Sequence, residues 1–285
     1  MEADPLAPWL LASKLGLYAS ALLAAGLGLH ASLHVVEHPG QMRALRSAAI
    51  LGGTALVFAV LRLMIANVQL GGALGSILDP ATLSWTWPML APSSIAFALG
   101  AGLLLVAWLS QRSALAGLAS IALAAGFALT GHTQALEQPG LAPWAAGLHV
   151  LIAAFWIAAP ITLWPSASLS DQTVMTRSER FSRLALFIVP ILFAIGLWLA
   201  LLLAGSINAL VSSAYGQLLM AKLVVAGAAL GLGAYNKQIV TRRLRQSPPD
   251  GRRALTATLS VDTLLFVSAL ILVGVATTMT GPPAY

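Results

Sequence analysis

Runs of about 20 apolar residues, the length that crosses a bilayer core at 1.5 Å per residue, recur throughout this chain. Eight can be counted, at roughly 8–33, 46–67, 88–110, 113–131, 142–165, 182–205, 215–238 and 255–279. None has the one-sided apolar face of a helix lying in the interface, and alternating strand patterns are absent. The expected fold is therefore all-α: a polytopic transmembrane helical bundle of eight spans, forming a single integral membrane domain over residues 1–285. Composition agrees. Only 8% of residues are charged, where a soluble domain carries about 25%, and 59% are hydrophobic, so no water-compatible surface can be built. The partner this dictates is the lipid bilayer, and the net charge of +6 bears on topology rather than on nucleic acid.

Topology follows from where the basic residues lie. Arg43 and Arg46 follow span one, Arg112 joins spans three and four, and Arg177, Arg180 and Arg183 precede span six. Lys237, Arg242, Arg243, Arg245, Arg252 and Arg253 fill the connection between spans seven and eight. The alternate connections, 68–87, 132–141 and 206–214, contain no Lys or Arg. The positive-inside rule places the basic loops in the cytoplasm and both termini outside. The acidic start, MEADPLAPW, lacks the basic region of a signal peptide, so span one is expected to be retained. Trp85, Trp87 and Trp144 then join the outer aromatic belt. Pro39, Pro80, Pro139 and Pro165 fall in connections or at helix ends, whereas Pro92, Pro160 and Pro190 lie within spans and predict kinks.

Four ionisable groups remain inside spans: Lys14, Arg62, Lys222 and Asp262. A charge at the centre of a span costs at least ~2.5 kcal/mol, so such groups pair, line a cavity or snorkel. Arg62 lies a turn from its helix end and is expected to snorkel. Lys222 and Asp262 are deeper and are expected to face the bundle interior, either as a pair or separately. The GAALG segment at 227–231 suits close helix packing.

No cysteine is present, which excludes disulfides, thiolate metal sites and iron–sulfur clusters and leaves His and Met as soft or borderline ligands. His132 ends one apolar helix and His149 lies in the early turns of the next, joined by a polar turn over 133–140. Two neutral imidazoles at similar depth on adjacent helices can share one ion. They can equally be a surface histidine and a hydrogen-bonded core histidine. Met89, Met220 and Met279, expected near the outer face, would add thioether donors. His30, His34 and His38 have the spacing that puts three side chains on one helical face, beside Glu37. They form a secondary metal-site candidate at the cytoplasmic interface, a release point if a metal ion moves inward, or else plain interface residues.

Four segments carry a family resemblance. They are TGHTQA followed by LHVLIAAFW; RFSRLALFIVPILFAIGLW; AYGQLLMAKLVVAGAALGLGAYNK; and the closing VATTMTGPP. Together they resemble the copper resistance protein D (CopD/PcoD) family of bacterial inner-membrane proteins, over about 120–281. The resemblance rests on His132, His149, Trp156, Tyr215, Gly216, Lys222 and Asn236. Pro160 and Thr162 depart from the small, Gly-rich sequence expected after the Trp.

The resemblance implies copper handling rather than enzyme chemistry: a multi-pass protein of the inner membrane that accepts or moves copper ions from the periplasm, served by a soluble CopC-like protein. No ATP-binding or aspartyl-phosphate motif is present, which excludes a P-type pump. A different class is also open. Paired histidines on antiparallel spans can ligate haem b in an electron-transfer protein, and a membrane scaffold with no transported ligand is a third reading.

Overall fold

The computed structural model describes residues 5–280, which are predominantly helical, with no strand among them. The long elements are α1 (Ala7–Ser32), α2 (His38–Gly71), α3 (Pro80–Ser110), α4 (Ser113–Ala128), α5 (Ala142–Ile157), α7 (Asp171–Ala204), α9 (Ala214–Tyr235) and α11 (Pro248–Val275). Short helices α6 (Ala159–Thr162), α8 (Ile207–Ser212) and α10 (Thr241–Gln246) complete the series, with a 3-10 turn at Leu74–Leu78 and π-helical turns at Asn236–Val240 and Ala276–Thr280.

Seven helical stretches are long and apolar enough to cross a membrane. They coincide with the predicted spans, except that the fourth, expected over 113–131, is only the 16-residue α4. At 1.5 Å per residue it extends about 24 Å, short of the ~30 Å hydrocarbon core.

Local chemistry explains the helix ends. Asp79 caps α3, its carboxylate accepting from Thr82 N at 2.9 Å and Thr82 Oγ1 at 2.6 Å. Ser170 and Ser213 cap α7 and α9 in the same way. Gly72 closes α2 in the left-handed conformation, φ 71°, which costs a residue without a Cβ least. Pro92 and Pro190 lie inside α3 and α7 as expected, and Pro88 also falls within α3. Pro160 does not sit in a continuous helix. The chain breaks at Ala158 and restarts with Pro160 in the first turn of α6, where its missing N–H goes unused. Pro39 likewise opens α2 rather than ending the preceding helix.

The N-terminal four helices pack into one apolar core around Leu17, Leu27, Leu45, Phe97, Leu104 and Leu123, reached by Ala154 and Ala158 of the second half. Two stacked clusters fill the second half. Ile152, Trp156, Val189, Leu192, Ala229 and Phe266 form one. Val35, Phe155, Val174, Val240, Leu244, Leu255 and Leu259 form the other, toward the arginine-bearing end. At that end Arg177 pairs with Glu37, Arg245 with Glu179, and Arg252 with Asp171.

Candidate functional site

Between α1, α5, α7, α9 and α11 lies a cavity of 330 Å³ with largely hydrocarbon walls. His132, His149 and Lys222 all line it, together with Tyr18, Tyr215 and Trp156. Its lining includes no Asp or Glu.

His132 follows Gly131, whose φ of 90° turns the chain out of the preceding helix. The half-buried ring meets Tyr215 edge-on, with centroids 6.1 Å apart. Burial, aided by the nearby Lys14 ammonium, holds the His132 imidazole below its ordinary value and so favours the neutral form. His149 projects from α5 toward α7, and its Nδ1 lies 3.1 Å from Leu192 O. A carbonyl oxygen only accepts, so Nδ1 carries the hydrogen and Nε2 keeps the free lone pair that a metal requires. Gly196 makes room for the ring, since a Cβ there would lie 2.9 Å from His149 Cε1. Trp156 packs at the cavity floor, its ring 5.7 Å from Phe266 and 6.1 Å from Phe193.

The methionines do not join this site. Met89, Met220 and Met279 are 76%, 40% and 56% exposed, and none lines the cavity. On α9, Leu219, Lys222, Leu223 and Ala226 are among the residues that line the cavity, and Met220 is not. In the last helical turn Ala276 and Thr277 face the cavity and Met279 does not, while α3, which bears Met89, contributes nothing to its walls.

The expectation that His30, His34 and His38 share a helical face is corrected. Helix α1 stops at Ser32, His34 takes a left-handed φ of 55°, and His38 is the first residue of the next helix. His30 is fully buried, with Nδ1 2.7 Å from Thr162 Oγ1 and Nε2 2.9 Å from Phe155 O. Both of its nitrogens are engaged, so it serves as a packing link between α1 and the α5–α6 break. Thr162, a departure from the family pattern, is thus part of that link. Among the described residues no three His, Cys, Asp or Glu side chains come together as a metal cluster.

Of the intramembrane polar groups, Lys14 donates to Thr277 O at 2.8 Å, tying α1 to the end of α11. Arg62 is partly exposed, and its Nε is buried without a hydrogen-bond partner. Lys222 and Asp262 form no ion pair; Asp262 is 4% exposed, and its Oδ1 has no hydrogen-bond partner. Asn236 Oδ1 is in the same state.

Sequence reasoning passed over Gly196 and the Arg177–Glu37 pair, and singled out Thr162 without finding its partners His30 and Arg177. Arg177 also donates to Thr162 O at 3.0 Å, and Arg180 donates to His34 O at 2.8 Å. Read as loop charges, these arginines signalled sidedness only; the sequence feature that could have exposed the link is Glu37, an acid placed among basic connections.

The family model for CopD, copper resistance protein D, matches residues 175–276. That stretch holds Tyr215, Lys222, Asn236 and Asp262, and it begins beyond His132 and His149. No curated protein and no solved structure matches the chain.

Proposed function

This is a multi-pass membrane protein that carries the copper resistance protein D signature over residues 175–276, and we propose that it handles copper at the cavity shared by His132 and His149. The observation that supports the reading most is the state of His149. Its ring has a hydrogen-bonded Nδ1, leaves Nε2 free, and lines a cavity that His132 also lines. Imidazole suits copper and does not suit magnesium or calcium, which take oxygen donors. With the methionines outside the cavity, sulfur does not enter the donor set.

By the loop-charge pattern the cavity opens outward, so copper would arrive from the periplasmic side of a bacterial inner membrane, delivered by a soluble CopC-like protein. Each residue has a role in that sequence. His132 meets the ion at the mouth in its neutral form, His149 holds it deeper, and Lys222 sets an electrostatic barrier to a cation going further. Metal analysis of the purified protein and of a His132→Ala, His149→Ala double variant tests this. Copper bound by the parent and lost in the double variant is the expected result; equal binding by both would sink the assignment.

One observation favours a second reading. A 330 Å³ apolar cavity is far larger than a bare ion needs, and two histidines on its wall suit haem b. A Soret band in the purified protein would establish haem, and a colourless protein that binds copper would exclude it.

A further inference from the structure

Beneath the cavity lies a second polar feature that the copper reading does not use. Asp262 on α11 and Asn236 at the start of the π-helical turn each carry a buried side-chain oxygen, Oδ1 in both cases, with no hydrogen-bond partner. The two residues are bracketed at one depth. Ala229 clusters with Phe266 above them, and Val240 clusters with Leu255 and Leu259 below. Since α9 and α11 run antiparallel, Asn236 and Asp262 occupy the interval between those two layers. Phe266 is on the cavity floor, one helical turn from Asp262.

No cation offsets the Asp262 carboxylate. Along α9, Lys222 lies seven residues, about 10 Å, beyond Ala229 on the cavity side, and Lys237, next to Asn236 in the π-helical turn, is exposed. On α1, Lys14 is bonded to Thr277 O, and both nitrogens of His30 are engaged by Thr162 and Phe155. His149 of α5 lies above, on the cavity wall. Of the arginines near α10 and the start of α11, Arg245 pairs with Glu179 and Arg252 with Asp171, and Arg242, Arg243 and Arg253 lie at that same basic end. Of the α7 arginines, Arg177 is committed to Glu37, Arg180 donates to His34 O, and Arg183 lies with Lys237 and Arg242 in a cleft at the basic end. A naked carboxylate in a low-dielectric layer is strongly disfavoured, and the group neutralises instead. A neutral carboxyl has one O–H to donate, and an amide oxygen accepts it. One added hydrogen, shared between them, would serve both orphaned atoms. The π-helical turn that begins at Asn236 is a departure from regular helix of the kind that recurs at functional positions.

We propose that Asp262 and Asn236 form a proton-binding site directly beneath the cavity, with Asp262 carrying a proton at neutral pH and donating it to the Asn236 side-chain oxygen. The proton exchanges when a cation occupies the cavity, because a positive charge above favours the ionised carboxylate. No covalent step is involved: one proton leaves Asp262 for bulk water as one cation charge arrives. This coupling, though not the proton site itself, rests on the copper reading.

Infrared difference spectroscopy on the full chain in lipid, with labelled aspartate, tests both parts. At pH 7 the parent is expected to show the C=O stretch of a protonated aspartic acid. That band should be absent in Asp262→Asn and shifted in Asn236→Leu, which removes the acceptor and leaves the carboxyl. A parent spectrum without such a band at pH 7, or a band unchanged in Asn236→Leu, overturns the site. The Asn236→Leu arm and the parent spectrum decide the matter even if Asp262→Asn does not fold. Adding Cu(I) should diminish the band in the parent and not in the His132→Ala, His149→Ala variant. A band indifferent to bound copper overturns the coupling, and a protein that binds no copper overturns the copper reading while the proton site stands.

Discussion

Arg177 grips Glu37 through both carboxylate oxygens, Nε donating to Oε2 at 2.8 Å and Nη2 donating to Oε1. The guanidinium is 9% exposed and the carboxylate 37%. With Arg177 Nη1 on Thr162 O and the Thr162 hydroxyl on His30, a continuous polar chain ties the first helix hairpin to the matched family segment. Arg177's hydrogen bonds, set against some desolvation, hold the Glu37 carboxyl below its ordinary value.

A depressed carboxyl contributes stability that is present above the unfolded value and is lost as pH falls through the folded one. In detergent, the parent should therefore lose stability on acidification below about pH 4.5, the ordinary value, and Glu37→Gln should lack that component. At pH 7 the variant should be less stable by about 1 kcal/mol, the partial exposure of Glu37 screening the pair. Thermal unfolding at the two pH values checks this; identical acid profiles would show that the pair carries no stability.

The fold was legible because hydropathy sets helix number and a proline marks a helix end at Pro80, while Pro92 and Pro190 sit inside continuous helices. The hairpin carrying His132 and His149 was legible in the sequence, and both histidines line one cavity. Azimuth was not. Helices this apolar on all sides, α9 above all, have no polar stripe to show which face turns inward, so Met220 and Lys222 could be placed in depth but not in direction. The His30 series failed differently. Four-residue spacing puts side chains on one face only while the helix continues, and here it ends two residues before His34. Pro39, which favours a helix start as readily as an end, was the signal.

Helix α4 makes topology worth measuring. If it crosses despite its 16 residues, both termini lie outside and the loop of Arg242 and Arg243 lies inside. Cysteines introduced singly into this cysteine-free chain, at Ser206 and Ser247, should be labelled by an impermeant thiol reagent in intact cells at Ser206 alone. Labelling of Ser247→Cys would reverse the orientation and with it the side on which the cavity opens.

Gly196 is expected to control the metal site without touching the metal. An alanine Cβ would lie 2.9 Å from His149 Cε1 and 3.4 Å from Nδ1, pushing the ring off Leu192 O. Groups that orient a metal-ligating histidine typically contribute 10–100-fold in affinity. Gly196→Ala should therefore weaken copper binding by about tenfold or more with helicity by circular dichroism unchanged. Unaltered affinity would mean that His149 does not hold the ion.

His132 sets the pH dependence. Its imidazole is held below the ordinary 6.5 by burial first and by Lys14 second, and only the neutral ring binds a metal. Copper affinity should stay level as pH falls from 8 to 6.5 and decline only below that. Lys14→Met removes the repelling cation, so the decline should begin at higher pH. A parent whose affinity already falls between pH 8 and 7, or a variant that moves the midpoint downward, contradicts this account.

Lys222 supplies the sharpest opposition between charge and cargo. It shares the cavity with His149, no carboxylate lines that cavity, and the walls are apolar, so its ammonium is poorly screened from any cation bound there. Two unit charges about 10 Å apart in an effective dielectric of about 20 repel by roughly 1.7 kcal/mol, or more than tenfold in an equilibrium constant. Lys222→Met keeps the length of the side chain and removes the charge. It should bind Cu(I) about tenfold more tightly and release it more slowly, measured by competition with a colorimetric chelator and by stopped-flow transfer to it. A variant that binds copper less well than the parent would show that Lys222 supports the occupant rather than repelling it. The cavity would then be built for an anionic or carbonyl-bearing ligand, and copper would have to bind elsewhere.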